Sequence, residues 1–227
     1  MALAKMMLEK LPRDFSIVTL FSLGSKAIQA VLTVVIIRVL SMDDYAAYTM
    51  FLTLSATVLG VAGQRFSLAY VRYNTEKISL DPRAADTVFL VSHIVNGVSC
   101  GVAGGFVALW GGQLDYAPYI LLLAILYGFI LGAIQINMAF LQSREHYAAA
   151  GVLENCKQGA ILAFVVGAIV LFGASIDSIL VAYLLSGILC FVVSIGYFRR
   201  PLQDGSLRFV LDKGEARDFI AVSIWLI

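Results

Sequence analysis

The fold class this sequence predicts is all-helical, a polytopic transmembrane bundle of six spans with the start of a seventh. Three observations lead there. Of the 227 residues 60% are apolar and only 14% charged, against a usual apolar share of about 45–50% and charged share of about 25% in soluble domains. Mean hydropathy is +0.89. Leu, Ile, Val and Ala fill runs of about 20 residues, the length that crosses about 30 Å of hydrocarbon at 1.5 Å per residue.

In chain order the apolar windows fall at about 16–37, 45–63, 87–110, 118–141, 151–173 and 176–198. Together they make one six-helix lobe over 1–198. Pro12, Pro82, Pro118 and Pro201 lie outside these windows or at a first turn, where the missing N–H is an orphan anyway. Residues 199–218 read as a linker. The run 219–227 then starts a seventh span that is too short to cross, so the chain is expected to be truncated inside that helix and the whole protein to be larger.

The loop basic residues set the orientation. Lys5, Lys10 and Arg13 precede the first window, and Arg65, Arg72, Lys77 and Arg83 follow the second. Arg144 follows the fourth, and Arg199, Arg200, Arg208, Lys213 and Arg217 follow the sixth; the alternate loops hold Arg38 alone. The N-terminus and the linker are therefore expected to be cytoplasmic. The stretch Gln64 to Leu80 keeps helical periodicity, with Phe66, Ala69, Tyr70 and Tyr73 on one side, so the second helix should run past the bilayer. Its aromatic face suits an interfacial anchor or a gate over the substrate path.

A net charge of +1 leaves no basic surface for a polyanion, which excludes nucleic acid as a partner. Cys100, Cys156 and Cys190 form no C-x-x-C pair, so neither a disulfide framework nor a metal site is indicated. Hydrolase, nucleotide-binding and metalloprotease motifs are missing, and loops of about seven residues cannot build an enzyme domain. Neither catalysis nor a cofactor is expected.

The informative residues are the polar ones inside the spans. Thr19, Ser22, Lys26, Gln29 and Thr33 follow spacings of 3, 4, 3 and 4, which places them on one face of the first helix. Lys26 lies near the midplane, where a charge costs at least about 2.5–3.5 kcal/mol and faces a cavity, a partner or a ligand. No acid occupies the middle of these six spans. Lys26 is accordingly either paired elsewhere in the bundle or a cationic site for an anionic group. Glu154, Lys157 and Gln158 open the fifth span; the first two self-neutralise at i, i+3 or supply a titratable group for ion coupling. Gly97, Gly101 and Gly105, and Gly128 with Gly132, fit close helix packing. Asn96, Gln135 and Asn137 suit either interhelical hydrogen bonds or sugar hydroxyls.

The segment 38–48, RVLSMDDYAAY, resembles the R-x-L-(S/T)-x-x-(D/E)-(Y/F)-G-x-Y signature of polysaccharide biosynthesis membrane proteins, with Ala46 where the signature has Gly. These are the lipid-linked oligosaccharide flippases, O-antigen type included, of the multidrug/oligosaccharidyl-lipid/polysaccharide exporter superfamily. Residues 59–63, LGVAG, and 68–73, LAYVRY, are similar to the family's glycine-bearing end of the second helix and its basic extension. The resemblance implies twelve to fourteen helices in two lobes, of which this chain looks like the N-terminal one. It also implies alternating access in a bacterial inner membrane, with the glycan of an undecaprenyl-diphosphate carrier as substrate. Membrane lipid, a polysaccharide polymerase and assembly proteins are the partners it implies. Lys26 is the first choice for the diphosphate, with Arg38 and Arg65 behind it and Ser22, Gln29 and Asn96 as polar contacts. The alternatives are a cation-coupled multidrug extruder of the same superfamily and a non-transporting membrane assembly protein.

Overall fold

The computed structural model describes residues 2–77, 82–111, 118–197 and 212–225. The helices are α1 (Ala2–Val39), α2 (Met42–Val58), a π-helical segment (Leu59–Gln64), α3 (Arg65–Lys77), α4 (Pro82–Trp110), α5 (Pro118–Ser143), α6 (Tyr147–Phe172), α7 (Ile176–Gly196) and α8 (Lys213–Trp225). No strand occurs among the described residues. Among the described residues six stretches are long and apolar enough to cross a membrane: Val18–Val39, Met42–Arg72, Asp86–Trp110, Pro118–Ser143, Tyr147–Phe172 and Ile176–Gly196.

Local chemistry explains the boundaries. Ser41 caps α2, its hydroxyl accepting from the Asp44 N–H at 3.2 Å, and Asp43 and Asp44 place negative charge on the first turn. Ser175 does the same for α7, with Asp177 behind it. Gly173, at φ +82°, closes α6 in a conformation that only glycine adopts freely. Asp212 caps α8 by accepting from the N–H groups of Gly214 at 2.8 Å and Glu215 at 3.2 Å. That cap starts the helix six residues before the apolar run, so the polar residues 213–218 form its first turns.

The sequence makes α5 apolar on every side, and α5 is the hub. Of its most apolar stretch 61% is buried, against 17% for α1. It packs on α2, α3, α4 and α7, whereas α1 rests chiefly on α6, which leans on α7. Small residues and backbone acceptors allow the close approaches, since apolar surface gains little from leaving lipid. Gly63 of the π segment sits against the backbone of Gly132. Gly128 faces Val58 and the Ser55 carbonyl. The Ser55 hydroxyl reaches Ala124 O at 2.9 Å.

Two sequence expectations change in three dimensions. The aromatic face of α3 packs inside the protein at Phe66, Ala69 and Tyr70, the Tyr73 side chain lying outside the described residues: Tyr70 and Ala69 are fully buried, Tyr70 stands edge-on to Phe89, and Phe66 stands edge-on to Phe219 of α8. It is core, not an interfacial anchor, because α4, α5 and α8 converge on it. The glycines of α4 differ from those of α5. A Cβ at Gly97, Gly101 or Gly105 would meet nothing within 4 Å, while one at Gly132 would collide with Asn96.

Candidate functional site

A cleft runs along α1 between α6 and the α2/α5 pair. It has two chambers, of about 390 and 400 Å³, that share Gln29 and Gln158, and each falls within the usual 300–1,000 Å³ of small-ligand sites. Helical spacing puts their walls on single faces. On α1 these are Ser22, Ser25, Lys26, Gln29 and Thr33; on α5 they are Tyr127, Leu131, Gln135, Met138 and Gln142, at steps of 4, 4, 3 and 4.

The first chamber holds Ser22, Lys26, Gln135, Gln142 and Glu154. Lys26 is exposed to the cleft and has no hydrogen-bond or ionic partner among the described residues. The side-chain amides of Gln29, Gln135 and Gln142 are likewise unpartnered there. Glu154 is committed: Lys157 Nζ lies 2.7 Å from Oε2, and Gln158 Nε2 donates to Oε1 at 3.3 Å. Lys157 is buried, so its charge needs that carboxylate. With one acid and two lysines in its walls, the cleft carries a net positive charge, located at Lys26.

Beyond Gln29 the second chamber is walled by Tyr48, Tyr127, Tyr183 and Lys157. The hydroxyls of Tyr48 and Tyr183 share a 2.6 Å hydrogen bond across α2 and α7. Tyr127 stacks on Phe51 at 5.5 Å and stands edge-on to Tyr183 at 5.6 Å, and its hydroxyl has no hydrogen-bond partner among the described residues.

Of the residues singled out in the sequence, Ser22, Lys26, Gln29, Glu154 and Lys157 converge on this cleft. Arg38 is exposed at the far end of α1, twelve residues or about 18 Å of rise from Lys26, and lines neither chamber. Arg65 opens α3, and its side chain lies outside the described residues. Asn96 stands on α4 away from the cleft, donating to Phe129 O at 3.0 Å, with its Oδ1 unpartnered among the described residues. Asn137 is also interhelical, with Ser194 Oγ at 2.8 Å and His93 Nε2 at 3.2 Å. Gln135 goes to the cleft. Gln142 and the three tyrosines were missed; the seven-residue step from Gln135 to Gln142 in an apolar helix was the available signal.

No family model matches the sequence, and no curated protein matches it either. Among solved structures the chain is similar to the outward-facing conformation of a multidrug resistance MATE family transporter of the MOP superfamily, with a TM-score of 0.64 at 16% identity. The likeness covers 94% of this chain and 52% of that one. The chain therefore spans about half the length of that structure, and what the two share is the fold.

Proposed function

We propose that this lobe belongs to a membrane transporter that flips a lipid-linked oligosaccharide or polysaccharide precursor across a bacterial inner membrane by alternating access. The observation that carries the proposal is Lys26. Among the described residues it is an unneutralised cation beside three unpartnered amides, in a cleft lined within the membrane-spanning part of the bundle. A charge held there without a counter-ion suits an anionic ligand group, and amides aimed at the same space suit hydroxyls and phosphate oxygens. In this reading the diphosphate of an undecaprenyl carrier enters from the cytoplasmic side and meets Lys26 near the midplane, and Ser22 and Gln29 hold it in place. The Glu154–Lys157 pair is the candidate for ion coupling. A second lobe completes the cavity.

One observation favours a second reading. The structural neighbour is a multidrug resistance transporter, and aromatic walls such as those of the second chamber also suit lipophilic cations. The charge at Lys26 opposes that ligand class. The test is transport by the full-length protein in vesicles. Lys26→Ala is expected to abolish translocation of an undecaprenyl-diphosphate-linked sugar while membrane levels stay intact. Wild-type translocation in that variant, or wild-type protein that moves tetraphenylphosphonium but not the lipid-linked sugar, overturns the proposal.

A further inference from the structure

We infer that the second chamber is a separate subsite for the sugar ring bonded directly to the carrier's diphosphate. This rests on the reading of the first chamber as a lipid-diphosphate site and adds to it which part of the ligand goes where.

Three features support the assignment. The first is position. Lys26, Gln29 and Thr33 succeed one another along one face of α1, Gln29 about 4.5 Å of rise beyond Lys26 and Thr33 about 10.5 Å beyond it. A phosphate at Lys26 therefore delivers its next substituent to the neck at Gln29 and Gln158, and so into the second chamber. The second is charge. Lys157 lines this chamber but is neutralised by Glu154 at 2.7 Å, so neither a further anion nor a cation finds a free counter-charge there. A neutral ligand is what remains. The third is the character of the walls. Leu52, Leu59 and Leu131 supply apolar surface, the three tyrosine side chains are themselves buried, and hydroxyl groups edge the chamber: the Tyr127 hydroxyl, without a hydrogen-bond partner among the described residues, and the Tyr48–Tyr183 pair, which uses one of its two protons internally. A pyranose has the matching form, with C–H faces for the apolar walls and a rim of hydroxyls for hydrogen bonds.

The test compares two probes on the full-length protein in lipid nanodiscs: bare undecaprenyl diphosphate, and the same lipid carrying one hexose or one N-acetylhexosamine. Wild type should bind at least one sugar-bearing probe about tenfold or more tightly than the bare lipid. Tyr127→Phe keeps the ring and its contacts with Phe51 and Tyr183. It should weaken the sugar-bearing probe by about three- to tenfold, the worth of one neutral hydrogen bond, and leave the bare lipid unchanged. Lys26→Gln should weaken both probes alike. Equal affinity of wild type for all probes, or a Tyr127→Phe loss shared by the bare lipid, overturns the sugar subsite and leaves the diphosphate site standing. Failure of every probe to bind overturns both readings.

Discussion

Glu154 holds Lys157 at 2.7 Å across one turn of α6, and this pairing leaves Lys26, in the same cleft, without a counter-ion among the described residues. The lysine is the more enclosed partner, its side chain 8% exposed against 28% for the carboxylate. Removing the carboxylate alone therefore strands a buried ammonium, whereas removing both charges does not. Glu154→Gln should destabilise by about 2 kcal/mol, below the ~3–5 for a fully enclosed pair because Glu154 is partly wet. The double variant Glu154→Gln/Lys157→Met should recover most of the loss. Thermal unfolding in detergent reads both. Glu154→Gln also raises the positive charge of the cleft, so it should tighten binding of undecaprenyl diphosphate; weaker binding would mean that the carboxylate, not Lys26, organises the anion.

How much of this was legible in the sequence depended on whether the partner lay on the same helix. The stripe from Ser22 to Thr33 and the pairing of Glu154 with Lys157 are within-helix relationships, fixed by 3.6 residues per turn. The bundle itself followed from the length and apolarity of its runs. That Gln135 and Gln142 face Lys26, while Asn96 and Asn137 bond to neighbouring helices, depends on how α5 is rotated against α1 and α4. No pattern inside α5 states that rotation, since nearly every side of it is apolar. The aromatic face of α3 misled for the same reason: Tyr and Phe beside Arg suit a membrane interface, but here three helices cover them.

The seat of α1 on α6 gives a second prediction. Asn155 Nδ2 donates to Phe21 O at 3.0 Å and to Gly151 O at 3.1 Å, and Gly24 lies against its Oδ1. A Cβ at Gly24 would stand 2.8 Å from that oxygen, and one at Gly151 would run into the Phe21 ring. Gly24→Ala should therefore destabilise by about 1–3 kcal/mol through overpacking. Asn155→Ala should lose about 1 kcal/mol for its hydrogen bonds while making room for the added methyl. The double variant should then be more stable than the sum of the single losses requires, a coupling that a double-mutant cycle measures. Strict additivity would show that the two helices do not meet here.

The glycines allow a sharper separation, because one sequence pattern occurs in two surroundings. In α5, Gly128 and Gly132 are pressed against Val58 and Asn96, and Gly63 against Gly132 itself. In α4, Gly97, Gly101 and Gly105 have the same four-residue spacing but meet nothing within 4 Å. Alanine at Gly132 must displace the Asn96 amide, which already donates to Phe129 O at 3.0 Å, so packing and a buried hydrogen bond are lost together. A cost of about 2–4 kcal/mol follows from summing an overpacked site and a disturbed polar group. Alanine at Gly101 adds a methyl to open space and replaces a poor helix former by the best one, for a gain of about 0.5–1 kcal/mol. Unfolding of the two variants in detergent should therefore move in opposite directions from wild type. If Gly101→Ala instead lowers stability, then a surface beyond these described helices packs on the α4 stripe.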